Sequence, residues 1–129
     1  WQIRPLSQEE LAALKTYVSS DKRYAHLQKQ LALGKAIVVS KAGAAQATTI
    51  VPGNWVRSEY YEAQRHHVFV GSIGSYRYQG QIPDKPYRYY DIDGDSFPEI
   101  QTNESCDGWC ISLWDIRARP NEIGRFGGH

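Results

Sequence analysis

The chain has 129 residues, 41% hydrophobic and 22% charged, which is the usage of an ordinary globular domain and excludes a wholly disordered chain. Its formal net charge of +1, with no lysine- or arginine-rich run, makes nucleic acid an unlikely partner. No apolar run approaches the roughly 20 residues of a membrane-spanning helix. The sequence therefore predicts a single domain over residues 1–129 without a transmembrane segment.

Two helices are predicted at the N-terminus, after a lead-in at residues 1–6. Ser7 and Glu10 form the S-x-x-E pattern of a capping box, and apolar residues then recur at helical spacing. Asp21 is placed to cap a second periodic run, which Gly34 ends. Both runs are apolar on one face only, so we expect two surface helices packed on a larger element.

The pattern becomes that of strands from Lys35 onward. Short runs of β-branched and aromatic residues alternate with turns that contain glycine and proline. Residues 117–129 have few apolar side chains and predict a tail. Helices followed by strands indicate an α+β fold, with two N-terminal helices packed on an antiparallel β-sheet.

The acidic segment Asp91–Glu99 carries the most distinctive chemistry in the sequence. It places carboxylates at its first, third and fifth positions, around a glycine that permits a sharp turn. The backbone carbonyl of the seventh residue and the carboxylate of the ninth complete a set of hard oxygen ligands, which Ca²⁺ prefers. The predicted calcium ligands are Asp91, Asp93, Asp95, Phe97 and Glu99.

This stretch, D-x-D-G-D-x-x-P-E, resembles the calcium loops of FG-GAP and VCBS-type repeats, and more loosely those of dockerins and EF-hands. The resemblance implies a metal role for the four carboxylates and nothing for the rest of the chain. Ser96 stands where such loops usually carry glycine, and Thr102 replaces the bidentate glutamate of an EF-hand. A solvated acidic turn without an ion is the alternative interpretation.

Cys106 and Cys110 are the two cysteines, and an Asp-Gly pair between them favours a turn that brings them together. We predict a structural disulfide, with reduced buried thiols or a catalytic or metal-binding pair as alternatives. Residue 1 is tryptophan and the chain contains no methionine, so we expect that a leader was removed or that a longer chain precedes. Together these features indicate an extracytoplasmic location: secreted, periplasmic or at the cell surface.

His66 and His67 are the weak catalytic candidates. With a nearby carboxylate, one of them would form an acid/base pair of the kind that hydrolases use. Neighbouring residues on a strand point to opposite faces, so one histidine at most would line a given cleft. No nucleophile-elbow, zincin or P-loop motif accompanies them, which favours two structural histidines.

Two Tyr-Arg-Tyr trios predict an interaction surface, because tyrosine and arginine commonly anchor protein interfaces. In each trio, strand alternation places the two tyrosines on one face and the arginine on the other. The residues of this predicted surface are Tyr76, Arg77, Tyr78, Tyr87, Arg88 and Tyr89.

These features predict a calcium-stabilised, non-catalytic interaction module with another protein as its partner. Candidate roles are an inhibitor or immunity protein, an adhesion domain or a subunit of a surface assembly. One alternative is a small secreted hydrolase or nuclease effector that uses His66 or His67, with calcium as a further participant. Another is the globular head of a type IV pilin-like protein, by analogy with a helix on an antiparallel sheet.

Overall fold

Two antiparallel sheets and one α-helix make up the part of the chain that the structure, a computed structural model, describes. That part comprises residues 1–44, 46–57, 59, 62–95, 97–106 and 108–128. For residues 104–106, 108, 109 and 128 it comprises the backbone alone.

Each sheet is a meander in which strands that are neighbours in sequence are neighbours in space. The first sheet contains β1 (Gln2–Pro5), β2 (Ile37–Ser40), β3 (Thr48–Arg57), β4 (Glu62–Val70) and β5 (Arg77–Ile82). The second contains β6 (Pro86–Tyr90), β7 (Glu99–Cys106), β8 (Gly108–Asp115) and β9 (Asn121–Gly128). The helix α1 (Gln8–Ser20) follows β1, and two 3-10 helices at Ala25–Lys29 and Leu33–Lys35 lead into β2.

The five-stranded sheet is the middle layer of three. One face packs against α1, where Leu14 and Phe69 belong to the same buried cluster. The other face packs against the second sheet, where Val68 lies in one cluster with Ile100 and Ile116. Because both faces are covered, the stretch 66–70 in the middle of this sheet is buried at every residue instead of at alternate residues.

The predicted N-terminus of α1 is confirmed in detail. The backbone N–H of Glu10 donates to Ser7 Oγ at 3.1 Å, and the Ser7 N–H donates to Glu10 Oε1 at 2.9 Å. Arg4 on β1 adds two hydrogen bonds to the same carboxylate, at 2.6 and 3.0 Å. These bonds from Arg4, together with those from Ser7, lower the pKa of Glu10 to about 2.

The predicted α+β fold with two N-terminal helices is wrong, because the described residues form a mostly β structure with one α-helix. Asp21 ends α1 and turns its carboxylate onto the backbone and guanidinium of Arg23. The run that follows forms the two 3-10 helices. Its apolar residues Tyr24, Leu27 and Leu31 are spaced by three and then four residues, as in an α-helix. The backbone instead forms i to i+3 hydrogen bonds, from the Leu27 N–H to the Tyr24 carbonyl and from the Gln30 N–H to the Leu27 carbonyl.

The chain ends also differ from the sequence prediction. Residues 1–6 contain strand β1, and residues 117–129, predicted as a tail, contain strand β9. β9 pairs with β8 in a register that places Phe126 opposite Ile111 and Gly124 opposite Leu113. The glycines and polar residues of β9 do not predict a strand. Its pairing with β8 stabilises it as one. Among the described residues, no helix is long and apolar enough to cross a membrane.

Candidate metal centre

The acidic loop connects β6 to β7 at one end of the second sheet. Gly94 has a φ of 73°, a left-handed conformation that residues with a Cβ rarely adopt, and it turns the chain between Asp93 and Asp95. Two hydrogen bonds fix the loop. The Ile92 N–H donates to Glu99 Oε2 at 3.0 Å, and the Phe97 N–H donates to Asp95 Oδ1 at 3.0 Å.

Three carboxylates of the loop converge. Asp91, Asp93 and Glu99 each offer one carboxylate oxygen, and these oxygens all lie within 4.8 Å of one another. Glu99 is only 3% exposed, whereas Asp93 lies on the surface. The arrangement is an acidic triad at metal-ligand distance, with one buried and one solvent-facing member.

Two predicted ligands lie outside the triad. Asp95 is not among the converging groups, and its buried Oδ2 lies 3.4 Å from Arg117 Nε. The Phe97 side chain packs against the cluster between the sheets, which anchors the loop to the core. Three of the four carboxylates that the sequence predicts as ligands therefore converge, and the binding of a metal stays a prediction.

Two basic side chains, Lys41 and Arg117, contact these carboxylates. No local sequence motif predicts either contact. Lys41 Nζ lies 2.7 Å from Asp91 Oδ2, and the Asp91 side chain is only 8% exposed. Arg117 contacts Asp93 Oδ2 at 3.2 Å and Asp95 Oδ2 at 3.4 Å. Lys41 is fifty residues from Asp91 in sequence, so the topology of the fold alone brings the two together.

Arg117 also pairs with a fifth carboxylate beside the loop. Its Nη2 lies 2.7 Å from Asp115 Oδ2, and its backbone N–H donates to Asp115 Oδ1 at 3.0 Å. The Asp-x-Arg spacing permits this local turn. Asp115 was not predicted as part of the site, because its place opposite Glu99 depends on the β7–β8 register.

Burial and neighbouring negative charge raise the pKa values of two carboxyl groups in the loop. Burial raises the pKa of Glu99, and its hydrogen bond and charge contact with Asp93 raise it further. Burial also raises the pKa of Asp95, again with a contribution from Asp93. A cation among these oxygens would relieve this repulsion, which is the electrostatic condition for a metal site.

The predicted disulfide lies partly outside the described residues. The side chain of Cys106 is not described, so the bond between Cys106 and Cys110 stays a prediction. The two residues lie on the adjacent strands β7 and β8, where Cys110 is opposite Glu104.

The two histidines lie on opposite faces of β4, and both are buried. His67, 1% exposed, faces α1, and its Nδ1 is hydrogen-bonded with the Tyr78 hydroxyl at 2.8 Å. Burial lowers the pKa of His67 to about 4, with His66 contributing. His66 Nδ1 lies 2.8 Å from the carbonyl oxygen of Gln64. Neither of these hydrogen bonds joins a histidine to a carboxylate.

The first tyrosine trio does not form an exposed surface. Tyr76, only 7% exposed, belongs to the cluster beneath α1, and Tyr78 packs there with Phe69 at a centroid distance of 5.0 Å. Both tyrosines lie on one face, because residues i and i+2 of a strand do so and this face is covered by the helix. Arg77 is the exposed member.

The second trio is split by a bulge in β6. The register shifts between Pro86 and Arg88, which leaves Tyr87 as the extra residue, 54% exposed. Tyr89 instead packs between the sheets, where burial raises its pKa to about 12. Only Tyr87 and Arg88 of this trio are therefore exposed, and Tyr90, which the sequence analysis did not select, lies beside them at 37% exposure.

In comparisons with protein-family models, with curated proteins and with solved structures, nothing matches this chain. The fold and the site therefore define its class by themselves. It is a three-layer domain of one helix and two antiparallel sheets, with an acidic triad in the loop between β6 and β7.

Proposed function

We propose that this chain is an extracytoplasmic, calcium-stabilised interaction module without a catalytic role. The observation that carries the proposal is the acidic triad, whose three carboxylate oxygens lie within 4.8 Å of one another in a loop with calcium-loop spacing. A bound ion would connect the end of β6 with the start of β7, because Asp91 follows one strand and Glu99 begins the other.

The donor set favours calcium over other common divalent ions. All three converging ligands are carboxylates, and Zn²⁺ sites in proteins generally use histidine and cysteine as well. Mg²⁺ requires near-ideal octahedral geometry and keeps several of its waters, whereas Ca²⁺ accepts six to eight oxygens in flexible arrangements. Asp95 and the backbone carbonyl of Phe97 are close in sequence and would supply further oxygens after a small movement of the loop.

Competition with the two basic side chains sets the expected affinity. An entering ion displaces Lys41 from Asp91 and Arg117 from Asp93, so part of its binding energy replaces existing ion pairs. We therefore expect a weak site, with a dissociation constant of about 10⁻⁴–10⁻³ M, the range of extracellular calcium modules. Such a site fills outside the cytoplasm, which supports the proposed location.

The proposed contact surface, Tyr87 with Arg88 and Tyr90, lies directly before the loop. The Arg88 guanidinium lies 5.3 Å from the centroid of the Tyr87 ring, and its interactions with the hydroxyls of Tyr90 and Tyr87 raise the pKa of Arg88. The Tyr90 hydroxyl donates to Gln101 Oε1 at 2.8 Å, which fixes its ring on the sheet. Exposed tyrosine and arginine held in one geometry are typical of interface anchors.

Calorimetric titration tests the metal part of the proposal. Calcium is expected to bind the wild-type domain at one site, magnesium to bind at least tenfold more weakly, and Asp93→Asn to abolish calcium binding. Asp84→Asn is the matched control, because Asp84 lies between β5 and β6, outside the acidic triad, and accepts a local hydrogen bond from the Lys85 N–H. Equal binding by wild type and Asp93→Asn would remove the triad from the proposal.

A separate experiment tests the contact surface. Immobilised domain is exposed to secreted proteins in calcium, and retention is compared between wild type and the double variant Tyr87→Ala/Tyr90→Ala. We expect a retained protein that is lost in the double variant and after chelation, but kept by Arg77→Ala, which removes an exposed arginine from the other sheet. Retention that is unchanged in the double variant would place the interface elsewhere.

A further inference from the structure

A cleft lies along the edge of β5, where the aromatic margin of the helix-covered core meets the connection between β8 and β9. It has a volume of about 510 Å³, which is the size of a ligand site. Four consecutive residues of the strand line it, at positions 78–81, together with Tyr24, Arg119 and Pro120. Among the strands that the structure describes, β5 pairs with β4 alone and forms one edge of its sheet, so its outer backbone faces this cleft.

The floor of the cleft is shaped by a bulge. The register between β4 and β5 shifts so that Gln79 is the extra residue, and its side-chain amide donates to the carbonyls of Ile116 and Arg117 at 3.0 and 2.8 Å. These bonds hold the β8–β9 connection against the strand edge. They thereby fix the backbone that leads to Arg119 and Pro120.

Gly80 makes room for the wall of the cleft. It has a φ of 134°, and a Cβ there would meet Pro120 Cδ at 2.8 Å and Arg119 Cγ at 3.9 Å. The missing side chain lets Pro120 lie on the strand, and Arg119 projects beside the same point. Arg119 is exposed, and it has no ion-pair partner among the residues that the structure describes.

The opposite wall is aromatic and already ordered. The Tyr24 and Tyr78 rings meet edge to face at a centroid distance of 5.1 Å. The Tyr78 hydroxyl is hydrogen-bonded with His67 Nδ1, and the Tyr78 N–H donates to the Tyr17 hydroxyl at 2.9 Å. That last bond caps one outward backbone donor of the edge strand, so an added strand would begin beyond Tyr78.

We propose that this cleft binds the carboxyl-terminal end of an extended peptide, which adds as a short strand to the edge of β5. The terminal carboxylate pairs with Arg119, the peptide backbone bonds to the strand edge, and an apolar side chain lies against Tyr24 and Tyr78. Beyond Gly80 the edge of β5 has two residues, Gln81 and Ile82, so it pairs with about two residues of the peptide at about 3.3 Å per residue. This inference is independent of the metal loop, since none of its residues contributes to the cleft.

The test uses the wild-type domain and two forms of one probe, a pool of acetylated tetrapeptides that end in leucine, valine or phenylalanine. One form has a free terminal carboxylate and the other is amidated. In amide NMR spectra we expect the free-acid pool to shift residues 78–82, and amidation to weaken binding about tenfold or more. No shift at millimolar peptide, or equal binding of both forms, would overturn the proposal.

Variants separate the role of Arg119 from a general effect of charge. Arg119→Ala is expected to weaken the free acid about tenfold and to leave the amidated form unchanged, with Arg119→Lys intermediate. Arg77→Ala is the control, because Arg77 is exposed on the same strand and does not line the cleft. If acetate competes as strongly as the peptide acid, the site is a simple anion site and the strand-addition proposal fails.

Discussion

His67 shows how burial controls a single titratable group. Its folded pKa of about 4 lies below the value of about 6.5 expected in the unfolded chain, since burial disfavours the charged ring. The unfolded state therefore binds the proton first as pH falls. The stability due to neutral His67 is complete above pH 6.5 and is lost between pH 6.5 and 4, by about 3 kcal/mol at most.

This prediction is checked by urea unfolding at a series of pH values. His67→Gln keeps a hydrogen-bonding partner for Tyr78 but removes the titration, so its stability should fall less steeply between pH 6.5 and 4 than that of wild type. Identical slopes for wild type and His67→Gln would show that His67 is not the responsible group.

Glycine is required at position 53, next to the His67 ring, for a steric reason. A Cβ at this position would lie 2.6 Å from His67 Nε2 and 3.1 Å from the carbonyl oxygen of Arg65. Gly53→Ala should therefore destabilise the domain by about 1–3 kcal/mol, the cost of overpacking a filled site. Gly34→Ala, where a Cβ would meet nothing within 4 Å, should change the stability little. A stable Gly53→Ala variant would mean that the ring of His67 can move aside.

Among the elements, α1 is the one whose start was predictable from sequence. Both hydrogen bonds of the capping box join groups three residues apart, so the pattern alone specifies them. Ser7→Ala removes one of them and should lower the free energy of unfolding by about 1 kcal/mol. Ser20→Ala, in the last turn of the same helix, is the control for loss of a hydroxyl. An unchanged midpoint of denaturant unfolding for Ser7→Ala would show that Arg4 alone holds the helix start.

The second predicted helix and the predicted tail failed for different reasons. Between Asp21 and Gly34 the apolar spacing is that of an α-helix, but a turn between Asp21 and Arg23 opens the segment and the chain continues as two 3-10 helices. β9 is identifiable only by its pairing with β8, because its own residues are mostly glycine and polar. Local sequence patterns therefore predict turns and helix caps that form within a few residues. They do not predict the pairing of strands that are distant in sequence.

At the scale of the whole molecule, both faces of the first sheet are covered. This explains why several side chains that the sequence predicts to be exposed are buried. Tyr76 and His67 look like surface and catalytic candidates in sequence, yet the α1 layer buries both. The acidic triad was predictable because its three residues lie within nine positions of one another in the sequence. The contacts of Lys41 and Arg117 with the loop were not predictable, since the packing of the two sheets brings these residues there.

Thermal unfolding in calcium tests the central proposal most directly. If an ion binds the folded domain alone, calcium at about one hundred times its dissociation constant should add about 2.7 kcal/mol and raise Tm by about 10 °C. Magnesium should raise Tm much less, a chelator should reverse the rise, and Asp93→Asn should abolish it while Asp84→Asn keeps it. A Tm that is the same in calcium and in chelator would contradict the account and reduce the segment Asp91–Glu99 to an acidic turn neutralised by Lys41 and Arg117.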